Sequence, residues 1–392
     1  MAADEHAPQT DLFLLDELLS AEERQVRGRV RDFCDTEVLP IINYYWERAE
    51  FPFALVPKLA ELRVAGGALQ GDGCPGMSPV AEGLVATELA RADGGLRAFC
   101  IGHNMAMLSI GLMGSVEQRR RWLPKLAAMD ALGAFAMTEP DHGSDVSSLG
   151  ARARRDGDGY VLDGAKRWIG NGTFADVIVV WARDDDGEIG GFVVETPADG
   201  LAAVPLRGKT ACRVAVHAEI TLIGVRIPSG NRLTEAKSWR ALTPLILRAR
   251  QDVCWEALGH AIAAYEIARE HALRREQFGR PLAHFQLVQA KLAQMLANIT
   301  SMQLMCWRLT RLETAGKATL PRASAAKLHT AAAARQVVLD ARDILDGDGL
   351  LIDKHVARHH ADVEALYTYE GTQDIQKLIL GRQITGHSAF VH

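Results

Sequence analysis

Two stretches of helical periodicity enclose one block of strands, and that segregation limits the fold more than any other feature of this chain. From Leu12 to about Met129 apolar residues recur at three- and four-residue spacing, with breaks near Pro52, the glycines at 66–76 and Gly94. Residues from roughly 133 to 235 then form short Val- and Ile-rich runs, GYVLDGAKRWI, ADVIVVWAR, GGFVVE and AEITLIGVRIP, separated by DG, NG and GG turn signals. After Trp239 the helical period returns, and from Phe285 to Leu309 one apolar stripe runs down a long segment, as in a helix packed against others. Helices, then strands, then helices argue against an alternating βαβ sheet. The order predicts an α+β protein with a helical N-terminal domain (1–132), a middle β domain (133–238) and a helical C-terminal domain (239–392).

Composition narrows the function classes. Of 392 residues, 48% are apolar and 24% charged, and the net charge of −5 provides no electrostatic footprint for nucleic acid or an anionic membrane. The six cysteines are scattered without a CxxC pair, as reduced core thiols would be. The acidic start, MAADEHAPQTD, lacks an apolar signal core, and no apolar run approaches the about 18 residues of a membrane span. A cytoplasmic protein is expected, without nucleic-acid or membrane partners.

Several motifs invite chemistry. GDGCPG, 71–76, satisfies GxGxxG, but helical sequence precedes it and Pro75 interrupts it, so it lacks the strand–turn–helix setting of a dinucleotide site. His355 and His359 stand four apart without a third ligand at a suitable spacing, which favours a solvated or salt-bridged helix face over a metal site. Three stretches suit a polar, planar cofactor instead. FAMTEPDHGSD (135–145) places Thr138, Ser144 and backbone donors in a turn region. KRWIGNG (166–172) sets Trp168 where an indole can stack on a ring. RREQFGRPLAHFQ (274–286) carries Arg275 and Gln286 on either side of a helix break, and an arginine at such a corner suits a phosphate. Near the C-terminus, YEGT puts Glu370 between Tyr369 and Gly371 just ahead of an amphipathic segment. The plainest reading of that carboxylate is favourable placement at a helix N-terminus.

Taken in order, FAMTEP…GSD, WIG, RREQFG…Q and YEGT resemble the acyl-CoA dehydrogenases. ELARADGGLR (88–97), WLPKLA (122–127), LTPLILRARQDVCWEALG (242–259) and YTYEGTQDIQKLILGRQITGHSAF (367–390) resemble most closely the glutaryl-CoA dehydrogenases among them. The resemblance implies an FAD flavoprotein with the three domains above, commonly a homotetramer, that takes an acyl-CoA substrate and passes electrons to an electron-transfer flavoprotein. It implies that Glu370 is the base that removes the α-proton. Flavin contacts are implied at Phe135, Met137, Thr138, Ser144, Trp168, Ile169, Arg275, Gln286 and Thr372, with Arg275 and Gln286 serving a neighbouring subunit. Substrate contacts are implied at Arg97, Ser144, Arg250, Tyr369 and Gly371.

Four departures bear on these roles. Gly170 stands where the family has a threonine whose hydroxyl reaches flavin N5, a change that encourages an acyl-CoA oxidase reading. Asp346–Gly347–Asp348–Gly349 replaces a GGNG, and Asp340 a glutamine, near the flavin's adenosine end, which motivates the alternative of a non-catalytic acyl-CoA or acyl-carrier binding protein. Ala90 replaces the glutamate that accompanies Arg97 in glutaryl-CoA enzymes, and Ala98 replaces a serine. Loss of the acid at position 90 leaves Arg97 as a free cation for a distal carboxylate, so glutaryl-CoA is the best single substrate, with a plain short or branched acyl-CoA as its rival.

Overall fold

The structure, a computed structural model, describes residues 10–389; most of the acidic N-terminal stretch and Phe390 of the C-terminal motif lie outside them. Helices come first: α1 (Ala21–Phe33), α2 (Leu39–Arg48), α3 (Val56–Glu61), α4 (Pro79–Ala92), α5 (Gly94–Met113) and α6 (Val116–Ala127). Their starts follow from local chemistry. Ser20 with Glu23, and Ser115 with Gln118, form capping boxes, while the Ser78 and Asp93 side chains accept from the third amide of α4 and α5. Between α3 and α4 the GDGCPG stretch makes a two-residue hairpin, β1 (Gln70–Gly71) with β2 (Cys74–Pro75), and not a nucleotide-binding turn.

One expectation needs correcting. Helix α5 is long and apolar enough to cross a membrane, but 72% of that apolar window is buried inside the protein, the position of a core helix.

The middle of the chain forms a mixed sheet from β3 (Gly133–Ala136), β4 (Arg152–Asp156), β5 (Gly159–Gly170), β6 (Val177–Arg183), β7 (Ile189–Glu195), β8 (Leu201–Pro205) and β9 (His217–Pro228). Its order is β3-β6-β4-β5-β9-β8, with β7 paired to β6. β3 and β6 run parallel, whereas β4–β5, β5–β9, β6–β7 and β8–β9 are antiparallel. Strand β6, VIVVWAR, explains its own unbroken apolar run. Val177, Val179 and Trp181 enter the core shared with the N-terminal helices, and Ile178, Val180 and Ala182 enter the sheet's own core. Sheet and N-terminal helices are therefore packed through one continuous apolar layer.

The remainder is helical: α7 (Thr243–Arg274), α8 (Gln286–Thr314), α9 (Leu320–Leu345), α10 (Val356–Thr368) and α11 (Gln373–Thr385), with a small hairpin of β10 (Glu276–Gln277) and β11 (Arg280–Pro281) between α7 and α8. Their core also takes in Val80, Leu84 and Ala86 of α4. Gly83 makes the α4–α7 approach possible, since a Cβ there would lie 2.2 Å from the Trp255 ring. The α8 stripe is buried at Met295, Ile299, Met302, Cys306 and Leu309, but its first half is only partly covered, and Phe278 and Leu287 are 92% and 83% exposed. All six cysteines are buried and unpaired. His359 does not lie on a solvated face: it is buried and its Nδ1 lies 2.8 Å from Nδ1 of His260, while the His355 ring lies 2.8 Å from the Arg358 guanidinium.

Candidate active site

Glu370 lies in the turn that joins α10 to α11. Tyr369 closes α10, and the Thr372 hydroxyl caps α11 by accepting from the Ile375 amide at 3.3 Å. The two residues between them are left-handed, Glu370 at φ 53° and Gly371 at φ 83°. A glycine is required at the second position because a Cβ would stand 2.6 Å from Gln376 Nε2. That amide donates to the carbonyls of Glu370 (3.0 Å) and Gly371 (2.8 Å), and Lys327 Nζ donates to the Gly371 carbonyl at 2.8 Å. Lys327 and Gln376 are fully buried, so the turn is pinned from below by polar groups that have no other outlet. Among the described residues neither the Glu370 N–H nor its carboxylate has a hydrogen-bond partner.

Burial raises the Glu370 carboxyl above its ordinary range; Arg250 and Lys327 oppose the shift and Asp252 adds to it. Arg250 is itself buried against Gly371, with Nη1 on Ser324 Oγ at 3.2 Å. It thus lies beside the Glu370–Gly371 turn. Helix α10 is held by two buried contacts that sequence reasoning did not identify. Arg358 donates to Asp93 at the head of α5 (2.6 Å) and to Asn43 (2.8 Å), and Asp362 accepts from the Cys212 amide of the middle domain (2.6 Å). These contacts fix the turn relative to α5 and the sheet.

A cavity of about 50 Å³ lies among α4, α5 and α7, lined by Glu82, Arg97, Met105, Arg248, Asp252 and Trp255 among others. Arg97 is buried there, 3% exposed, but it is not a free cation: its Nη2 pairs with the Asp252 carboxylate of α7. The expectation that Ala90 frees Arg97 fails because a residue 155 positions along the chain takes up the guanidinium. Arg248 is likewise engaged, by Glu82 and Glu313. Glu256, one turn beyond Asp252, is fully buried and pushed up to about 8 by desolvation against the pull of Arg97. Tyr369 lies within electrostatic reach of both Glu256 and Arg97.

The family models of the acyl-CoA dehydrogenase N-terminal, middle and C-terminal domains match residues 20–130, 134–225 and 239–385. The chain belongs to the acyl-CoA dehydrogenase family. It is similar to the crystal structure of glutaryl-CoA dehydrogenase from Mycobacterium smegmatis, with a TM-score of 0.94 at 40% identity over 97% of this chain and 99% of that one. A glutaryl-CoA dehydrogenase structure from the same organism, in complex with FADH2, matches with a TM-score of 0.95 at 37% identity over the same shares. The mitochondrial short-chain specific acyl-CoA dehydrogenase of Bos taurus is 31% identical over 94% of this chain and 90% of its own length.

FAD is the cofactor of this acyl-CoA dehydrogenase, and the residues present fit it. Phe135, Met137 and Thr138 leave the end of β3 partly exposed, and Ser144 is exposed in the following turn. A buried ion pair holds this loop: Lys166 Nζ donates to Glu139 (2.8 Å) and to the Met137 carbonyl (3.0 Å), while Glu139 accepts from the Gly150 and Ala151 amides at 2.6 and 2.9 Å. Trp168 sits at an irregularity of the β5–β9 pairing with φ 64° and 52% of its surface exposed, which presents an indole face, while Ile169 beside it is buried. A Cβ on Gly170 would meet nothing closer than 3.8 Å, so the missing side chain is not forced by packing.

Arg275 closes α7 and Gln286 opens α8, and both are exposed on either side of the β10–β11 hairpin, which packs on α7. Within one chain the structure does not bring them to Trp168 or Glu370. Asp340 accepts from Gln336 at 3.2 Å and Asp346 faces solvent. Asp348 acts electrostatically on His271.

Proposed function

We propose that this chain catalyses α,β-dehydrogenation of a short-chain acyl-CoA, with Glu370 removing the α-proton. The observation that carries this reading is the left-handed Glu370–Gly371 turn, with its carbonyls occupied and the Glu370 N–H and carboxylate unpartnered. An α-C–H beside a thioester is lost only if the carbonyl oxygen is stabilised as it gains charge. The free Glu370 N–H supplies a donor for that oxygen, and Gly371 leaves room for the thioester to approach. Desolvation strengthens the carboxylate as a base, while Arg250 and Lys327 keep enough of it ionised to act. FAD, when bound, takes up the hydride from the β-carbon, so the product is a trans-2-enoyl-CoA. Glu370 retains the abstracted proton until it is exchanged with solvent. Replacing Glu370→Gln tests the assignment: the variant should still purify with bound flavin, yet butyryl-CoA should no longer bleach the visible band. Full bleaching would remove Glu370 from the role.

An electron-transfer flavoprotein is the proposed acceptor. Gly170 favours a second reading, in which oxygen reoxidises the cofactor, and peroxide yield with and without an artificial acceptor separates the two. The likeness to glutaryl-CoA dehydrogenases supports glutaryl-CoA as the substrate, whereas the pairing of Arg97 with Asp252 favours its rival, a plain short or branched acyl-CoA. A homotetramer is supported by the exposed Phe278 and Leu287 and by the isolation of Arg275 and Gln286, which would serve a neighbour's cofactor. The six unpaired buried thiols accord with a cytoplasmic location.

A further inference from the structure

We infer that Asp252 is the specificity-determining residue of the acyl pocket, and that it selects against acyl-CoAs bearing a distal carboxylate in favour of those with a neutral chain end. The inference deepens the proposed dehydrogenation and rests on it. Its basis is that the guanidiniums lining the α4–α5–α7 cavity are already paired. Arg248 is held by Glu82 and Glu313, and Arg97, buried on α5, is held by Asp252. Asp252 lines the same cavity and is the more exposed partner of its pair, at 30% against 4% for the Arg97 side chain. A carboxylate arriving at Arg97 would meet a like charge, that of Asp252, already on the same guanidinium. An added buried carboxylate would then have no cation of its own, which is strongly unfavourable. A methyl or other neutral end meets no such opposition. Such an element works by repelling the wrong ligand more than by attracting the right one.

The charge of Asp252 also acts on Glu370. Asp252 is therefore within electrostatic reach of Glu370 as well as paired with Arg97.

The test compares kcat/KM for glutaryl-CoA and butyryl-CoA, after bleaching by butyryl-CoA has established that the flavoprotein dehydrogenates at all. The unaltered chain should favour butyryl-CoA by about tenfold or more, the scale on which like-charge juxtaposition separates ligands. Asp252→Asn, which keeps the side chain's size, should raise the glutaryl-to-butyryl ratio by roughly tenfold, and combining it with Arg97→Met should abolish that gain. A ratio in Asp252→Asn within about twofold of the unaltered value, on a scale where tenfold is expected, overturns the proposal. So does an unaltered chain that uses glutaryl-CoA as well as butyryl-CoA, a result that decides the matter even if the variant does not fold. Should neither ester bleach the flavin, the dehydrogenation reading falls, and calorimetric affinities for the same two esters, read against the same ratios, still decide the role of Asp252.

Discussion

The Glu370 turn and the Arg97 ion pair are built in different ways. Glu370 sits in a turn whose sterics are local: Gly371 follows it, Thr372 caps the next helix, and Gln376, six residues on, occupies both turn carbonyls. Lys327 alone among its direct supports is distant, 44 residues from the carbonyl it holds. Arg97, in contrast, takes its character from Asp252 on another helix, 155 residues away. A reacting group set by a local turn can be read from a short motif. A charge partner supplied across a helix interface cannot, because no sequence spacing marks it. The two regions also share a neighbour, since Asp252 is within electrostatic reach of Glu370 as well as of Arg97.

The most disruptive way to break the local region is Gly371→Val. A β-branched residue at φ 83°, with its Cβ driven toward Gln376 Nε2, carries a strain of about 1–3 kcal/mol before any clash is counted. Substrate bleaching should become too slow to measure, and the thermal midpoint should fall while the isolated FAD spectrum is retained; normal bleaching would show that the turn is not constrained as described.

Opposite pH shifts sharpen the coupling between the regions. As the proposed base, Glu370 would act only when ionised, so kcat/KM should decline as pH falls through its raised pKa. Lys327 opposes that rise, and its own ammonium is pushed down to about 8 by burial. Lys327→Met should therefore move the acid limb to higher pH, by up to about one unit, with a several-fold loss of rate at neutral pH. Asp252 adds to the rise, so Asp252→Asn should move the limb to lower pH, by a smaller amount because the group is partly exposed. Butyryl-CoA profiles of the two variants check the signs, and shifts in the same direction would sever the link drawn between the two regions.

The smallest effect belongs to the cap. Thr372→Ala removes the oxygen that accepts from the Ile375 amide and should lower unfolding stability by about 1 kcal/mol. The acid limb should stay in place, because the turn carbonyls remain bound to Gln376 and Lys327. Urea titration and a pH profile of the one variant separate the two readouts.

The order of helices, strands and helices is legible in the sequence because periods of 3.6 and 2 are local properties of each segment. The Glu370 turn is legible for a similar reason, since Tyr369, Glu370, Gly371 and Thr372 are adjacent and their backbone needs are visible in the residue types. The polar loop at Thr138, the exposed indole of Trp168 and the hairpin carrying Arg275 can also be placed from turn signals alone. Only the tertiary structure decides what burial and partnership make of these residues. It takes up Arg97 with Asp252, buries His359 against His260, supports the 135–145 loop on Glu139 and Lys166, and ties α10 to α5 through Arg358 and Asp93. It also turns α5 from an apolar span into a core helix and gives β6 two different cores on its two faces. The physical reason is common to all of these. Pattern and turn chemistry act between neighbours in the chain, whereas desolvation and charge pairing depend on which distant side chains share a low-dielectric space, and that is known only once the helices and sheet have packed.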